Sequence, residues 1–296
     1  MPDLAAEAKA FREQGFVKLS GVLDADELEA LQTETRAQID AGPLREPHGD
    51  FRLKQLPDGR DAFFRIQFLA DKQMINDSLL QVMGHPRILE LSETIIGPDW
   101  GLYGSAMVFK GEDGGAAIEA HRDAPLDARH FAPSHVYFNV DVYLDRADAS
   151  SGALWVMPRS QLTEDVRGMV AAGIEQPGFI EVPMEPGDVL FHDAMLLHGS
   201  PPTPPGSPLR RVLYYSFQSY EWMAREGVLP GFEVNRDWIA RNLKLVEHAV
   251  ERRRAARPTE RQCSRTLPAN WRAEVDEAEL ELRPIAGHLP WEDASP

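Results

Sequence analysis

Apolar positions recur at helical spacing at the two ends of the chain and alternate at strand spacing through its middle. Residues 5–14 predict a short helix and "GFVKLSG" a strand. Asp24 with Glu27 three positions later resembles a capping box that opens a helix running to about Ile39. The stretch 42–65, "GPLREPHGDFRLKQLPDGRDAFFR", mixes Gly, Pro and charge and predicts a long loop or loose hairpin, a common setting for a functional lid. "INDSLLQVMGHPRILELSETIIG" returns to helical spacing, broken near His85-Pro86 and ended by Gly97.

From about Leu102 the period becomes that of a strand. In "HVYFNVDVYL", Val136, Phe138, Val140, Val142 and Leu144 take one face, and Tyr137, Asn139, Asp141 and Tyr143 the other. The first face is core. The second is polar and aromatic, which fits either solvent or the lining of a wet cavity. Short strands follow at "GALWVMP", "FIEVPM", "DVLFHD" and "RRVLYYSF", separated by Pro and Gly turns, a pattern that predicts a sandwich or barrel. Helical spacing resumes around 235–256, and the tail from Pro258 is polar and broken by prolines. The expected class is mainly β with flanking helices (α+β). No internal repeat or dividing linker is evident, so residues 1–296 are expected to form a single domain: helical support over 1–100, a β core over about 101–220, and a C-terminal helical extension and tail over 221–296.

Composition narrows the function. The formal net charge of −16 repels phosphate backbones, so no nucleic-acid partner is expected; the basic run "ERRRAAR" at 251–257 reads as a solvated helix face. No apolar run approaches the roughly 18 residues of a membrane span, and the N-terminal stretch lacks the basic-then-apolar order of an export signal. The single cysteine, Cys263, excludes an internal disulfide or a multi-cysteine metal site and suits a reducing compartment, with the cytoplasm as the default.

Chemistry concentrates at "EAHRDAPL", residues 119–126. On a strand, residues two apart share a face, so His121 and Asp123 can reach one point while Arg122 turns away. A third ligand must come from elsewhere, and "GDVLFHDAMLLHGSPP" offers His192 and His198. His198 is preferred, since it begins the second strand and the basic pair Arg210-Arg211 opens the next. Two histidines and a carboxylate on one side of a metal suit non-heme Fe(II). The same donors could hold zinc and activate water, as in a hydrolase or lyase. No G-x-S-x-G, H-E-x-x-H or phosphate loop is present.

The order His121-Arg-Asp123, "SSGALWVMPRSQ", "EPGDVLFHDAMLLHGS" and "LRRVLYYSF", preceded by "FREQGFVKLSGVLDADELEAL", resembles the phytanoyl-CoA dioxygenase family of Fe(II)- and 2-oxoglutarate-dependent oxygenases. The resemblance covers most of the chain up to about Tyr220. It implies a double-stranded β-helix (jelly roll, cupin-like), with Fe(II), 2-oxoglutarate and O2 used to hydroxylate an unactivated C–H bond of a small molecule, succinate and CO2 being released. It makes His121, Asp123 and His198 the iron ligands. It sets Arg210, or alternatively Arg211, against the distal carboxylate of 2-oxoglutarate, since a guanidinium grips a carboxylate with two parallel hydrogen bonds. Ser200, Lys110 and Asn139 are grouped with Arg210 as cosubstrate contacts. Asp123 favours hydroxylation over the halogenation seen in relatives that lack this carboxylate. A non-catalytic ligand-binding relative is the third alternative, opposed by the intact triad. "MPRSQ" departs from the family's P-G-S-H, so the turn lacks its glycine. Residues 42–65 and 124–135 are expected to cover the cavity, with Arg52, Arg65, Gln67 and Trp222 as substrate contacts and Phe64, Tyr103 and Tyr137 as wall.

Overall fold

The computed structural model describes residues 3–40, 51–56, 58–68, 76–124, 137–219, 228–229, 232–233, 235–263 and 271–280. The predicted Trp222, the cover at 125–135 and the start of the 42–65 stretch lie outside the described residues.

The chain is mainly β with flanking helices. Helix α1 (Leu4–Gln14) is capped by Asp3, whose carboxylate accepts from the Ala6 amide at 3.0 Å, and it ends at Gly15 with φ 86°. Strand β1 (Phe16–Leu19) leads to α2 (Ala25–Asp40). The capping box forms as the sequence predicts: the Glu27 amide donates to Asp24 at 3.0 Å and the Asp24 amide to Glu27 at 3.1 Å. Of the stretch 42–65, expected as a long loop or loose hairpin, the described part belongs to a hairpin of β2 (Phe51–Gln55) and β3 (Asp61–Phe68), with a register shift between Arg52 and Leu53. The Leu56 amide donates to the Arg60 carbonyl at 2.7 Å, and Gly59 takes the left-handed conformation the turn needs. Helices α3 (Asp77–Met83) and α4 (Pro86–Ile96) are separated at His85-Pro86, where Pro86 supplies the first helical φ and His85 caps.

The strands β4 (Trp100–Lys110), β5 (Ile118–His121), β6 (Tyr137–Tyr143), β7 (Leu154–Val156), β8 (Ile180–Val182), β9 (Val189–Asp193), β10 (His198–Ser200) and β11 (Arg210–Ser219) complete two antiparallel sheets. One has the order β1-β9-β6-β11-β4-β3-β2 and the other β5-β10-β7-β8. The N-terminal hundred residues are therefore more than a helical support, since three of their strands extend the large sheet. Helix α5 (Arg167–Ala172) follows β7, and α6 (Arg236–Ala256) and α7 (Arg272–Glu277) close the described chain.

The alternation in β6 decides what lies on each side of the large sheet. Phe138, Val140 and Val142 are fully buried with Phe191, Leu213 and Phe217 against the helices. Phe138 packs on Phe191 and Phe217 with centroids 5.8 and 5.9 Å away. Each such side chain contributes about 2 kcal/mol by leaving water. The other face, carrying Asn139, Asp141 and Tyr143, turns toward the small sheet and is buried as well. Of the two readings of that polar face, the inward one holds. No described helix is long and apolar enough to cross a membrane.

Candidate active site

His121 ends β5 and His198 begins β10, and the two residues are direct partners across these antiparallel strands. Close approach of the strands depends on Gly199, where a Cβ would meet the Ile118 carbonyl oxygen at 2.7 Å. The imidazole centroids are 4.2 Å apart. His121 Nδ1 lies 2.8 Å from the Glu119 carbonyl oxygen and His198 Nδ1 2.9 Å from that of Leu196. A carbonyl only accepts, so each Nδ1 carries the proton, and both Nε2 lone pairs are presented to one point. Metal-ligating histidines are commonly oriented in this way. Asp123 completes the group, with Oδ1 3.6 Å from His121 Nε2 and Oδ2 3.7 Å from His198 Nε2. One donor atom from each residue lies within 4.8 Å of the others. Burial, with His121 adding, pushes His198 down to about 3, which keeps it neutral and able to ligate. Arg122, between the two ligands, turns away as expected and donates to the Ser160 and Thr163 carbonyls at 2.5 and 2.6 Å.

Behind the cluster stands a second layer that the sequence pattern did not assign. Asn139 Nδ2 donates to Asp123 Oδ2 at 2.5 Å, and the Ser216 hydroxyl donates to Asn139 Oδ1. His192, fully buried, places Nε2 3.3 Å from the same Asp123 oxygen and Nδ1 2.7 Å from Asp141. His192 is thus a neighbour of the donor group and not one of its three members. Burial opposes its protonation, but Asp141 and Asp123 outweigh that and raise it to about 10. The alternation that put Asp141 beside Asn139 was the available signal for this layer; the pairing with His192 needed the fold.

A second cluster lies at the other end of the inner face. Arg210 and Lys110 are direct partners across β11 and β4. Arg210 is 1% exposed; its Nη1 donates to the Gly152 carbonyl at 2.7 Å, and its Nε has no hydrogen-bond partner. The Ser200 hydroxyl donates to the same carbonyl at 2.7 Å. Lys110 Nζ donates to the Ala116 carbonyl at 3.0 Å and to that of Pro201. Burial, with Arg210 nearby, pushes Lys110 down to about 6. Among the described residues neither Arg210 nor Lys110 has a carboxylate within ion-pair distance, an arrangement in which a bound anion would match the guanidinium and favour the charged form of Lys110. Asn139 lies apart from this group, against Asp123. Arg211 faces the opposite way, holding Asp145 with two bonds of 2.7 and 2.8 Å and donating to Gln32 O at 2.6 Å. Arg65 and Tyr137 lie on the inner face, and Tyr137 meets Tyr103 at 5.5 Å.

The basic run at 251–257 is a solvated face at Glu251, Arg252, Arg254, Ala255 and Ala256, with Arg253 the buried exception. Arg253 is 1% exposed and clamps Glu27 at 2.6 Å and Glu260 at 2.6 and 2.7 Å, while Arg252 pairs with Asp77 and Arg257 with Asp24. At "MPRSQ" the missing glycine has a local cost. Arg159 adopts φ 68°, the only non-glycine positive φ among the described residues.

Three donors are gathered between two antiparallel sheets, with a buried guanidinium further along that has no carboxylate partner among the described residues. The family model for phytanoyl-CoA dioxygenase (PhyH) matches residues 11–210, so the chain belongs to that family, and its class is that of an oxygenase. It is 27% identical over 215 residues to the methylphosphonate hydroxylase of Gimesia maris (strain ATCC 29201 / DSM 8797 / 534-30), a match that takes in 71% of this chain and 78% of that protein. Among solved structures, EvdMO1 is similar with a TM-score of 0.59 at 25% identity, over 73% of this chain and 50% of that one. The epimerase SnoN, in complex with Fe3+, alpha ketoglutarate and nogalamycin RO, shares the fold with a TM-score of 0.57 at 21% identity, over 78% of this chain and 92% of that one.

Proposed function

We propose that the chain is an Fe(II)- and 2-oxoglutarate-dependent oxygenase that hydroxylates an unactivated C–H bond of a small molecule. In this reading the two sheets are a double-stranded β-helix, residues 1–296 work as one domain, and the protein acts in the cytoplasm. The observation that carries the reading is the convergence of His121, Asp123 and His198 with both imidazoles fixed through Nδ1. Ligands about 2.1 Å from a metal and adjacent to one another sit roughly 3 Å apart, so the His–Asp separations of 3.6 and 3.7 Å need only a small contraction. The hydroxylase relative and the iron- and ketoglutarate-bound SnoN structure argue in the same direction.

His121, Asp123 and His198 would hold iron on one side and leave the other open. Arg210, with Ser200 and Lys110 beside it, would hold the distal carboxylate of 2-oxoglutarate. Burial strengthens that grip, because it lowers the screening around a guanidinium that has no carboxylate within ion-pair distance among the described residues. Asn139 and His192 fix Asp123, and Asp141 fixes His192, so the carboxylate meets the metal in one orientation. When bound, iron and 2-oxoglutarate supply the oxidising chemistry with O2, releasing succinate and CO2. Anaerobic addition of Fe(II) and 2-oxoglutarate should give the visible charge-transfer band of the chelate in the wild type and none in His121→Ala. No band in the wild type, or an unchanged band in the variant, would sink the proposal.

A further inference from the structure

Among the described side chains the charges on the inner face do not balance. Asp141 is matched by His192 at 2.7 Å. On the reading above, Asp123 belongs to the metal, and Arg210 with Lys110 belongs to the distal carboxylate of 2-oxoglutarate. Of the described side chains one cation remains, Arg65. It pairs across the sheet with Val108, which pairs with Val212, which pairs with Tyr143. Val212 and Tyr143 are buried between the two sheets, so Arg65 points to the same side. Its Nε is buried without a hydrogen-bond partner, and among the described residues it has no ion pair. Arg65 acts electrostatically on Tyr137 together with Asp123, whereas the charges acting on Lys110 are those of Arg210, Lys54 and Glu119.

Beside these groups the inner face is open. Gly104 pairs with Ser216, and Ser216 with Asn139, the residue that holds Asp123. A Cβ on Gly104 would meet nothing within 4 Å. The pairing between β4 and β11 slips at this point, so Tyr103 is an extra residue that bulges toward Tyr137. Among the described residues, an aromatic wall, a floor that lacks a side chain at Gly104 and a cation without an ion pair therefore border a space next to the metal donors.

We infer that this space binds the substrate and that the substrate carries an anionic group, a carboxylate, sulfonate, phosphate or phosphonate, held by Arg65. The inference rests on the oxygenase reading, and its test separates the two. Protein loaded anaerobically with Fe(II) and 2-oxoglutarate, its chelate band present, is titrated calorimetrically with methylphosphonate, with acetate and with the neutral dimethyl sulfone. At least one anion should bind and dimethyl sulfone should not. In Arg65→Gln that binding should weaken at least ten-fold while the 2-oxoglutarate titration of the band is unchanged, and Arg65→Lys should recover most of it. Failure of both anions to bind the wild type while the band forms overturns the inference. So does equal binding in Arg65→Gln, or a loss of 2-oxoglutarate affinity in that variant, which would place Arg65 with the cosubstrate. Absence of the band itself overturns the oxygenase reading instead.

Discussion

Arg210 and Arg211 are adjacent in sequence and opposite in consequence. Strand alternation sends the first inward, where among the described residues no carboxylate lies within ion-pair distance, and the second outward onto Asp145, Gln32 and Thr35. Two outcomes follow at this scale. Arg210→Ala should weaken 2-oxoglutarate binding at least ten-fold, the loss expected when charge-assisted hydrogen bonds worth about 2 kcal/mol disappear. A titration of the chelate band checks this. Arg211→Ala should leave that titration unchanged and lower stability by about 3 kcal/mol, since it strands a largely buried Asp145. Sequence alone showed that only one of the pair could enter the site. Which one was a matter of which face of β11 became the interior, and no local signal carries that. His192 makes the same point: it is a histidine of ligand type in a strand, demoted to a support only because β9 sits beside β6.

At the scale of elements, β6 was legible as a strand with one apolar and one polar face, and the helix caps at Asp24, His85 and Gly97 were written in short local patterns. The destination of the polar face was not, because an amphipathic period records contrast between faces and not what covers each. The turn after β7 shows how a local departure is absorbed. Arg159 stays in the left-handed region because the turn around it is over-determined: the Ser160 hydroxyl accepts from the Leu197 amide at 2.8 Å, one residue before His198. Arg159→Gly should therefore raise stability by up to about 1 kcal/mol, the strain of a non-glycine residue at positive φ less the backbone entropy of glycine. A thermal unfolding midpoint higher by a few degrees would bear this out, and a lower one would show that Arg159 is held there by contacts worth more than the strain.

On the scale of the whole molecule, the C-terminal helix lies beyond the family match yet is joined to the N-terminal helices by Arg253, which bridges Glu27 of α2, Glu260 and the Gln81 carbonyl of α3. Arg253→Met should cost about 3 kcal/mol, because the buried Glu27 loses its closest charge partner. A fall in the urea midpoint is the measurement, and an unchanged midpoint would mean that Arg257, 3.8 Å from the same carboxylate, suffices alone. The helix also brings Trp238 to within 6.2 Å of Tyr103, so a segment outside the match backs the wall of the inferred substrate space.

By itself the sequence determined the class of fold, the strands and caps, and the residues able to ligate a metal, because each depends on period, spacing or side-chain chemistry within a few positions. The tertiary structure alone decided that β5 and β10 bring His121 and His198 face to face, that Asp141 and His192 stand behind Asp123, and that Arg65 has no ion pair among the described residues inside the sandwich. These are pairings across tens of residues. Sheet order and burial create them, and burial is also what turns a hydrogen bond or an unmatched charge into a chemical preference.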